Sequence, residues 1–205
     1  MGSVPTVDRS FAIRRTVARL ILRLIGWKTY GEVPQRGVLV GAPHTSNWDW
    51  VMTILLTWSS ERQIRLMVKD ELFKGPLGII LRATGAVPVD RRNPAAAVRK
   101  LVRDAASDEG FLLGIAAEGT RSKQEYWKSG FYRIAQETGL PVTLAGLDAP
   151  TRSVGWGPTI HLSGNVKADM DRIREFYADK HGFDAAKVTP ARLRNEPEGP
   201  ARPQA

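Results

Sequence analysis

One short stretch of the chain carries residue types that acid–base chemistry requires. The apolar run Val38–Val40 predicts a buried strand, His44 follows it, and Asp49 completes a His-x4-Asp pattern. The polar residues 45–47 favour the start of a helix, so Asp49 would lie in or near its first turn. From there its carboxylate can hold a neutral imidazole in one tautomer while the other ring nitrogen accepts a proton. The alternative is an aspartate that only caps the helix, beside an ordinary surface histidine.

A second polar cluster also follows an apolar run. Phe111–Ile115 predicts a strand, and Glu118, Gly119, Thr120 and Arg121 come soon after it. Such a loop combines a carboxylate, a glycine that permits close backbone approach and an arginine that can bind phosphate. The same residues are also compatible with a surface turn that contains a weak local Glu–Arg ion pair.

Two arginines follow a third predicted strand. Ala86–Val89 has strand character, and Pro88 predicts an edge or bulge position because it lacks a backbone donor. Arg91 and Arg92 would project beyond the strand end. A guanidinium can bind phosphate through two hydrogen bonds, so a phosphate site and a solvated basic turn are both consistent with this pattern.

The elements that must position these residues alternate along the chain. Further strands are predicted at 64–68, 142–147 and 159–162, and helices at 50–58, from 94 to before Gly110, at 131–138 and at 170–181. A charged loop is expected at 69–76, and the apolar run 77–81 fits either a helix or an apolar ledge. Strands alternating with helices predict an α/β fold with a mixed, largely parallel central sheet flanked by helices.

An amphipathic segment precedes this domain. Phe11–Trp27 has apolar residues at helical spacing, with Ile13, Val17, Leu20, Ile21, Leu24 and Ile25 among them, and it carries Arg14, Arg15, Arg19 and Arg23. The arginines interrupt any run long enough to span a membrane, and no signal-peptide cleavage site follows. A helix that lies in an anionic membrane interface and a surface helix packed on its own domain both need this apolar stripe.

The composition predicts one folded domain with an anionic partner. The chain has 205 residues, enough for one hydrophobic core, and a net charge of +9. It has no cysteine, which excludes a thiolate nucleophile, and its three histidines are too scattered to suggest a metal site. We expect the amphipathic helix within 1–30, the main domain at 31–185 and a disordered tail at 186–205, where Pro, Arg, Glu, Gly and Ala dominate.

Four of these segments together resemble one enzyme family. His44 and Asp49 match its His-x4-Asp block, Gly85–Arg91 resembles its second block, Glu118–Arg121 matches its Glu-Gly-Thr-Arg block, and Leu140–Val142 resembles its apolar-Pro-apolar block. The order and the approximate spacing of the blocks also agree. Over about residues 31–150 the chain therefore resembles the glycerolipid acyltransferases that acylate lysophosphatidic acid.

The resemblance implies direct acyl transfer. The donor would be an acyl thioester, on acyl-CoA or an acyl carrier protein, and the acceptor a hydroxyl of lysophosphatidic acid or a related lysophospholipid. His44 would act as the general base, and Asp49 would orient it and stabilise the imidazolium. We expect no cofactor and no metal.

The resemblance also implies how the acceptor is held. Arg91 and Arg121 would bind its phosphate, with Lys128 as a further candidate, and Glu118 would position its hydroxyls. The remaining residues of that block, Gly119 and Thr120, would complete the binding loop. We expect a peripheral enzyme on the cytoplasmic face of the cell membrane, which it would contact through the helix at 11–27.

Two other classes of function fit the sequence less well. An esterase or lipase could share the His–Asp pair, although no Gly-x-Ser-x-Gly nucleophile is present. A nucleic-acid binder would suit the net charge, although the chain has no zinc-finger, basic-zipper or aromatic ribonucleoprotein pattern. We therefore expect no nucleic-acid partner.

Overall fold

A computed structural model describes residues 9–90, 92 and 94–197, and within these ranges seven strands form one sheet. The strands are β1 Lys28–Tyr30, β2 Gly37–Ala42, β3 Ile64–Lys69, β4 Ala86–Val89, β5 Leu112–Ala116, β6 Val142–Asp148 and β7 Ser153–Ile160. The helices are α1 Arg9–Leu24, α2 Asn47–Ser59, α3 Gly75–Ala83, α4 Pro94–Ser107, α5 Gly130–Thr138 and α6 Val166–Tyr177. Short 3₁₀ turns lie at Asp70–Phe73 and Ala185–Lys187.

The sheet has the strand order β1-β7-β6-β2-β5-β3-β4. Strands β6, β2, β5, β3 and β4 are parallel, β7 is antiparallel to β6, and β1 is parallel to β7. In the middle of the sheet, Val38 of β2 is matched with Leu113 of β5 and Val142 of β6. The predicted α/β fold with a mixed, largely parallel sheet is therefore confirmed.

Helices cover both faces of the sheet. Helix α2 connects β2 to β3, and α3 connects β3 to β4. Both connections run in the same direction across the sheet. Right-handed crossovers that run in one direction place their helices on the same side of the sheet. Leu39 of β2 packs there with Ala18 of α1 and Met52 of α2. Its neighbours Val38 and Val40 point to the other side and pack with α4, α5 and α6. We call the two sides the α1–α3 face and the α4–α6 face.

The main predicted elements are confirmed, and several boundaries differ. Pro88 lies on the edge strand β4, as predicted, and the ambiguous run 77–81 belongs to α3. The predicted loop at 69–76 contains a 3₁₀ turn and the start of α3, and the last strand begins at Ser153. The last helix begins earlier than predicted because the Asn165 side chain caps it by accepting from the amide of Ala168. Strand β1 is not predicted, because three residues give too short a pattern.

The segment predicted as a tail needs correction. Residues 188–197 pack on the domain, where Leu193 is buried and forms a parallel bridge with Trp127. The indole Nε1 of Trp127 donates to the carbonyl oxygen of Thr189 at 3.1 Å. Composition predicts disorder here because the segment has few apolar residues, but Leu193 is buried and Val188 and Ala191 are half-buried. Residues 198–205 of the predicted tail lie outside the described residues.

Helix α1 packs through a narrow strip and leaves its predicted apolar stripe outside. Ala18 and Leu22 are buried, whereas Ile13 is 64%, Leu20 54% and Leu24 75% exposed. The stripe therefore faces away from the domain. In the part of the chain that the structure describes, no helix combines the length and the hydrophobicity needed to cross a membrane.

Several arginines of α1 contact the end of α2 and the turn after it. The contacts are Arg15 with the carboxylate of Glu61 at 2.6 Å, Arg19 with the carbonyl oxygen of Ser59 at 3.5 Å, and Arg14 with the ring of Trp58, 5.7 Å from its centre. These contacts help to fix the helix on the domain.

Candidate active site

The carboxyl ends of two neighbouring parallel strands bring the two polar clusters together. His44 follows β2, Glu118 follows β5, and these strands are paired from Gly37 to Gly41. The backbone amide of His44 donates to Oε1 of Glu118 at 2.8 Å. Ligand and catalytic sites of open α/β sheets lie at this edge, so the two clusters form one candidate site.

The start of α2 holds Asp49 next to His44. Ser46 caps the helix, and Oδ2 of Asp49 accepts the backbone amides of Thr45 and Ser46, each at 2.5 Å. The same oxygen lies 3.7 Å from Nδ1 of His44, beyond hydrogen-bond distance but close enough for charge interaction. Asp49 therefore caps the helix and also faces His44, and its role in orienting the imidazole stays a prediction.

Burial changes the protonation of both members of this pair. Burial, which is the larger cause, and the positive charge of Arg121 together lower the pKa of His44 to about 4. Burial also raises the pKa of Asp49, although the amides of Ser46 and Thr45 oppose the change. At neutral pH the imidazole is uncharged, which is the state that a proton acceptor needs.

Glu118 is fully buried beneath this pair. Burial raises its pKa to about 7, while the hydrogen bond from His44 acts in the opposite direction. Its second oxygen, Oε2, is buried and has no hydrogen bond of normal geometry. Thr189 lies close to the carboxyl group and opposes the rise in its pKa. Glu118 is hydrogen-bonded to the backbone that carries His44, and its predicted contact with acceptor hydroxyls stays a prediction.

The glycine after Glu118 permits a tight turn against a lysine. Gly119 has a φ of +71°, and a Cβ atom there would lie 2.9 Å from Cγ of Lys128. The backbone amide of Lys128 donates to the carbonyl oxygen of Ala117 at 2.8 Å. Lys128 therefore lies along the Glu-Gly-Thr-Arg loop, with Thr120 partly exposed in the same turn.

A cleft of about 320 Å³ lies beside the His44–Asp49 turn. Arg121 and Lys187 both line it, together with residues 45–47 at the start of α2. Lys187 forms an ion pair with Asp184 at 2.7 Å. The sequence gives no signal for Lys187, because it lies in the segment whose composition predicts a tail. The carboxylate of Asp184 lines the cleft as well and offsets part of the charge of Lys187, while Arg121 and the N-terminus of α2 favour an anion.

A second His–Asp contact fixes the segment that carries Lys187. Asp148, at the end of β6, accepts the backbone amide of His181 at 2.9 Å, and Nδ1 of His181 lies 3.2 Å from the same carboxylate oxygen. The amide of Asp184 then donates to the hydroxyl of Thr45 at 3.2 Å. These contacts dock the segment directly on the turn that contains His44.

A second cavity, of about 350 Å³, lies deeper in the α4–α6 face. Glu118 and Trp127 line it together with parts of α6 and residues 188–191. Tyr177 closes one side, and its buried hydroxyl donates to the carbonyl oxygen of Val40 at 2.6 Å. The lining of this cavity is mostly apolar, and the segment that the sequence predicts to be a tail forms part of its wall.

One predicted phosphate ligand, Arg91, lies outside the described residues, so its role remains a prediction. Its neighbour Arg92 is fully exposed and forms ion pairs with Asp90 at 3.1 Å and Asp70 at 3.6 Å. Within the described ranges, no group of three His, Cys, Asp or Glu side chains could hold a metal ion.

Comparisons with known proteins identify a family, a relative and a solved structure of similar fold. A family model described as Acyltransferase matches residues 27–145, which is more than half of the chain. A 1-acyl-sn-glycerol-3-phosphate acyltransferase of Streptococcus pneumoniae (strain ATCC BAA-255 / R6) is 27% identical over 187 residues, covering 81% of this chain and 69% of that protein. The crystal structure of the 1-acyl-sn-glycerophosphate (LPA) acyltransferase PlsC from Thermotoga maritima superposes with a TM-score of 0.55. It shares 17% sequence identity, and the match covers 83% of this chain and 79% of that one.

Proposed function

The chain belongs to the acyltransferase family and is an O-acyltransferase, and from this premise we propose that it acylates a lysophospholipid. The acyl group would pass from a thioester to a hydroxyl of lysophosphatidic acid or a close relative. One observation carries the proposal: a neutral histidine faces a buried aspartate beside a cleft lined by Arg121 and Lys187. A base next to an anion site suits an acceptor that has both a hydroxyl and a phosphate.

His44 would serve as the general base. As the acceptor oxygen attacks the thioester carbonyl carbon, the imidazole takes the hydroxyl proton and becomes an imidazolium. The tetrahedral intermediate then expels the thiolate, the C–S bond breaks, and the imidazolium returns its proton to the sulfur. No covalent acyl-enzyme is needed, in keeping with a chain that contains no cysteine.

Asp49 and Glu118 would support this step in different ways. Asp49 faces Nδ1 of the ring, so its charge would stabilise the imidazolium and keep Nε2 as the proton acceptor. Two backbone amides hold the Asp49 carboxylate in place before any substrate arrives. Glu118 would keep the backbone of His44 in position through its hydrogen bond to the His44 amide.

The acceptor phosphate would lie in the cleft between Arg121 and Lys187. Both side chains line this cleft, and charge-assisted hydrogen bonds to phosphate are stronger than neutral ones. Lys128, which lies along the same loop, and Arg91 are further candidates for this contact. The donor would be acyl-CoA or an acyl carrier protein thioester, with no other cofactor.

The acceptor and product are lipids, so the enzyme would work at a membrane surface. Helix α1 supports this, because its apolar stripe faces away from the domain and the helix carries several arginines. We expect a peripheral protein on the cytoplasmic face of the cell membrane. The net charge of +9 favours attraction to anionic lipids.

Thiol release from an acyl thioester, measured with a panel of acceptors, tests the proposed reaction. The panel should compare lysophosphatidic acid, a lysophospholipid with a larger headgroup, and a monoacylglycerol without phosphate. We expect His44→Ala to lose about two or more powers of ten in rate and Asp49→Asn to lose less, because the proton acceptor remains. His161→Ala changes an exposed histidine outside the site and is the matched control.

Two results would contradict the proposal. Near-normal turnover by folded His44→Ala protein would exclude the general-base role. Thiol release that is as fast without acceptor as with it would instead indicate a thioester hydrolase, the esterase-like alternative.

A further inference from the structure

The exposed apolar side chains of this protein lie almost entirely on one side. Among the residues that the structure describes, every large exposed hydrophobic side chain except Phe183 lies on or next to α1, α2 or the segment from Asp70 to Ala83. The described side chains of α4, α5 and α6 include none of this kind. Extended apolar surface concentrated in this way marks an interaction site on a folded domain. The asymmetry extends well beyond α1.

Helix α3 presents an apolar surface by its construction. Ile79 is 70% and Ile80 59% exposed, whereas Gly78 and Leu81 are buried on the opposite side of the helix. A Cβ atom on Gly78 would lie 2.0 Å from the carbonyl oxygen of Phe73, so glycine lets α3 sit directly on the preceding 3₁₀ turn. This close seating fixes the orientation of the helix and keeps both isoleucines pointing outward.

The border of this surface is basic. Lys74 precedes α3, and Arg82 lies in its last turn, with its guanidinium 5.4 Å from the ring centre of Phe73. The acidic residues of the neighbouring turn are paired with cations, Glu71 with Lys69 and Asp70 with Arg92. An apolar centre with cationic edges is complementary to an anionic lipid surface, where hydrocarbon lies beneath charged headgroups.

The apolar surface continues to the catalytic edge. Trp48 is 63% exposed in the first turn of α2, only four residues after His44, and Val51 follows it. Leu72 lies just beyond the carboxyl end of β3, at the same edge of the sheet. Phe183 lines the cleft beside residues 45–47, and Trp27, which follows α1, contacts it with a ring-centre distance of 5.6 Å. The mouth of the candidate site is therefore bordered by apolar side chains.

We propose that α3 and the first turn of α2 form a second contact with an anionic bilayer, in addition to α1. Two separated contacts on the α1–α3 face fix how the domain lies on the membrane, whereas one helix alone leaves it free to tilt. In this orientation the catalytic edge opens at the level of the headgroups, where the acceptor phosphate and hydroxyl are found. The inference extends the proposed membrane contact, but it does not depend on which acyl acceptor is used.

Paired substitutions on α3 test this contact in the full chain. Ile79→Asp with Ile80→Asp places two charges in the apolar centre, and Ile79→Lys with Ile80→Lys does so without losing attraction to anionic lipid. Ala106→Asp with Gln136→Glu adds two negative charges on the α4–α6 face and is the matched control. Binding is measured by co-sedimentation with vesicles of phosphatidylcholine and phosphatidylglycerol. Loss of two inserted isoleucines is expected to weaken binding about tenfold or more.

The outcomes are distinct. Weaker binding by both isoleucine pairs, with the control unchanged, supports insertion of α3. Parent-like binding by the Asp pair overturns the proposal, and parent-like binding by the Lys pair alone shows a purely electrostatic contact, which also overturns it.

A dimer that the Asp pair dissociates in sedimentation velocity, with vesicle binding unchanged, would assign α3 to a contact between two copies instead. Thiol release with a soluble short-chain acceptor should stay at the parent rate in every variant, which separates this test from that of the proposed reaction.

Discussion

At the scale of single residues, Arg121 is able to act on both the substrate and the catalytic base. Its positive charge adds to the effect of burial in lowering the pKa of His44 in the free enzyme. A phosphate bound at Arg121 would offset much of this charge. Acceptor binding would then raise the pKa of His44 and make it a stronger base at the moment when it is needed.

Replacing Arg121 by Gln should therefore have two effects. The KM for the acceptor should rise roughly tenfold or more, with a smaller change for the donor, because a charge-assisted phosphate contact is lost. The acid limb of kcat/KM should also move to higher pH, because removal of a positive charge raises the pKa of His44. Initial rates across pH measure both effects, with Arg133→Gln on the surface of α5 as the control. Equal increases in the two KM values would contradict a role in acceptor binding.

Glu118 should make the stability of the protein depend on pH. Its pKa is raised from 4.5 to about 7 in the folded state. Between these values the folded protein holds a proton that the unfolded chain has released. The contribution of Glu118 to stability is therefore present at acidic pH and is lost as the pH rises toward and through about 7.

Glu118→Gln removes this ionisation while it keeps the shape of the side chain. The variant should therefore be more stable relative to the parent at pH 8 than at pH 5. The difference in unfolding free energy, variant minus parent, should be larger at pH 8 by up to about 3 kcal/mol. Urea unfolding at the two pH values measures this difference, and effects of the substitution that do not depend on pH cancel. If the difference between variant and parent is the same at both pH values, the folded pKa of Glu118 is not raised.

Much of the site is predictable from the sequence, for a physical reason. His44, Asp49 and Glu118 follow apolar strands, and parallel strands place their carboxyl ends at one edge. The buried position of Glu118 is not predictable, because a Glu-Gly-Thr-Arg stretch has the residue types of an exposed turn. The position of Lys187 is not predictable either. Its segment is held at the site by contacts between residues far apart in the chain, such as that between Asp148 and His181.

At the scale of elements, two leucines of α1 should respond differently to the same substitution. Leu20 is 54% exposed on the outward stripe, whereas Leu22 is 2% exposed against the domain. Leu22→Ala should cost roughly 2–3 kcal/mol of unfolding free energy, because it leaves a cavity. Leu20→Ala should leave stability nearly unchanged and weaken binding to anionic vesicles by several-fold, because it removes inserted apolar area.

Thermal unfolding and vesicle co-sedimentation on the two variants measure both effects, and each variant is the control for the other. A fall in melting temperature for Leu20→Ala, with vesicle binding unchanged, would show that the stripe packs against protein in solution.

The elements themselves differ in how far local sequence determines them. Helix α1 follows from its spacing, but which side faces the domain does not, because the most apolar stripe lies outside and the buried strip contains Ala18. Strand β1 depends on its pairing with β7, not on its three residues. The segment after residue 187 is polar in composition, and its order comes from distant contacts such as that of Leu193 with Trp127.

At the scale of the whole molecule, the net charge of +9 should make membrane binding sensitive to salt. Attraction between basic residues and an anionic surface is screened over about 10 Å at 0.1 M salt and over about 3 Å at 1 M. Binding to phosphatidylglycerol-containing vesicles should therefore weaken as salt is raised over this range. Apolar insertion is not screened, so a residual component should remain. Pure phosphatidylcholine vesicles are the control, and a salt dependence of equal size with them would exclude attraction to anionic lipid.

The central position of β2 also determines the order of events while the chain is being synthesised. The strand that leads to His44 pairs with β5 and β6, whose residues Leu113 and Val142 leave the ribosome long after Val38. Helix α1 is complete before any of these strands has a partner, and its outward stripe needs none of them. If that stripe binds lipid as proposed, the nascent chain reaches the membrane before its catalytic edge exists. Localisation of the polypeptide would then precede activity, and the unpaired apolar strand would complete its folding beside a lipid surface.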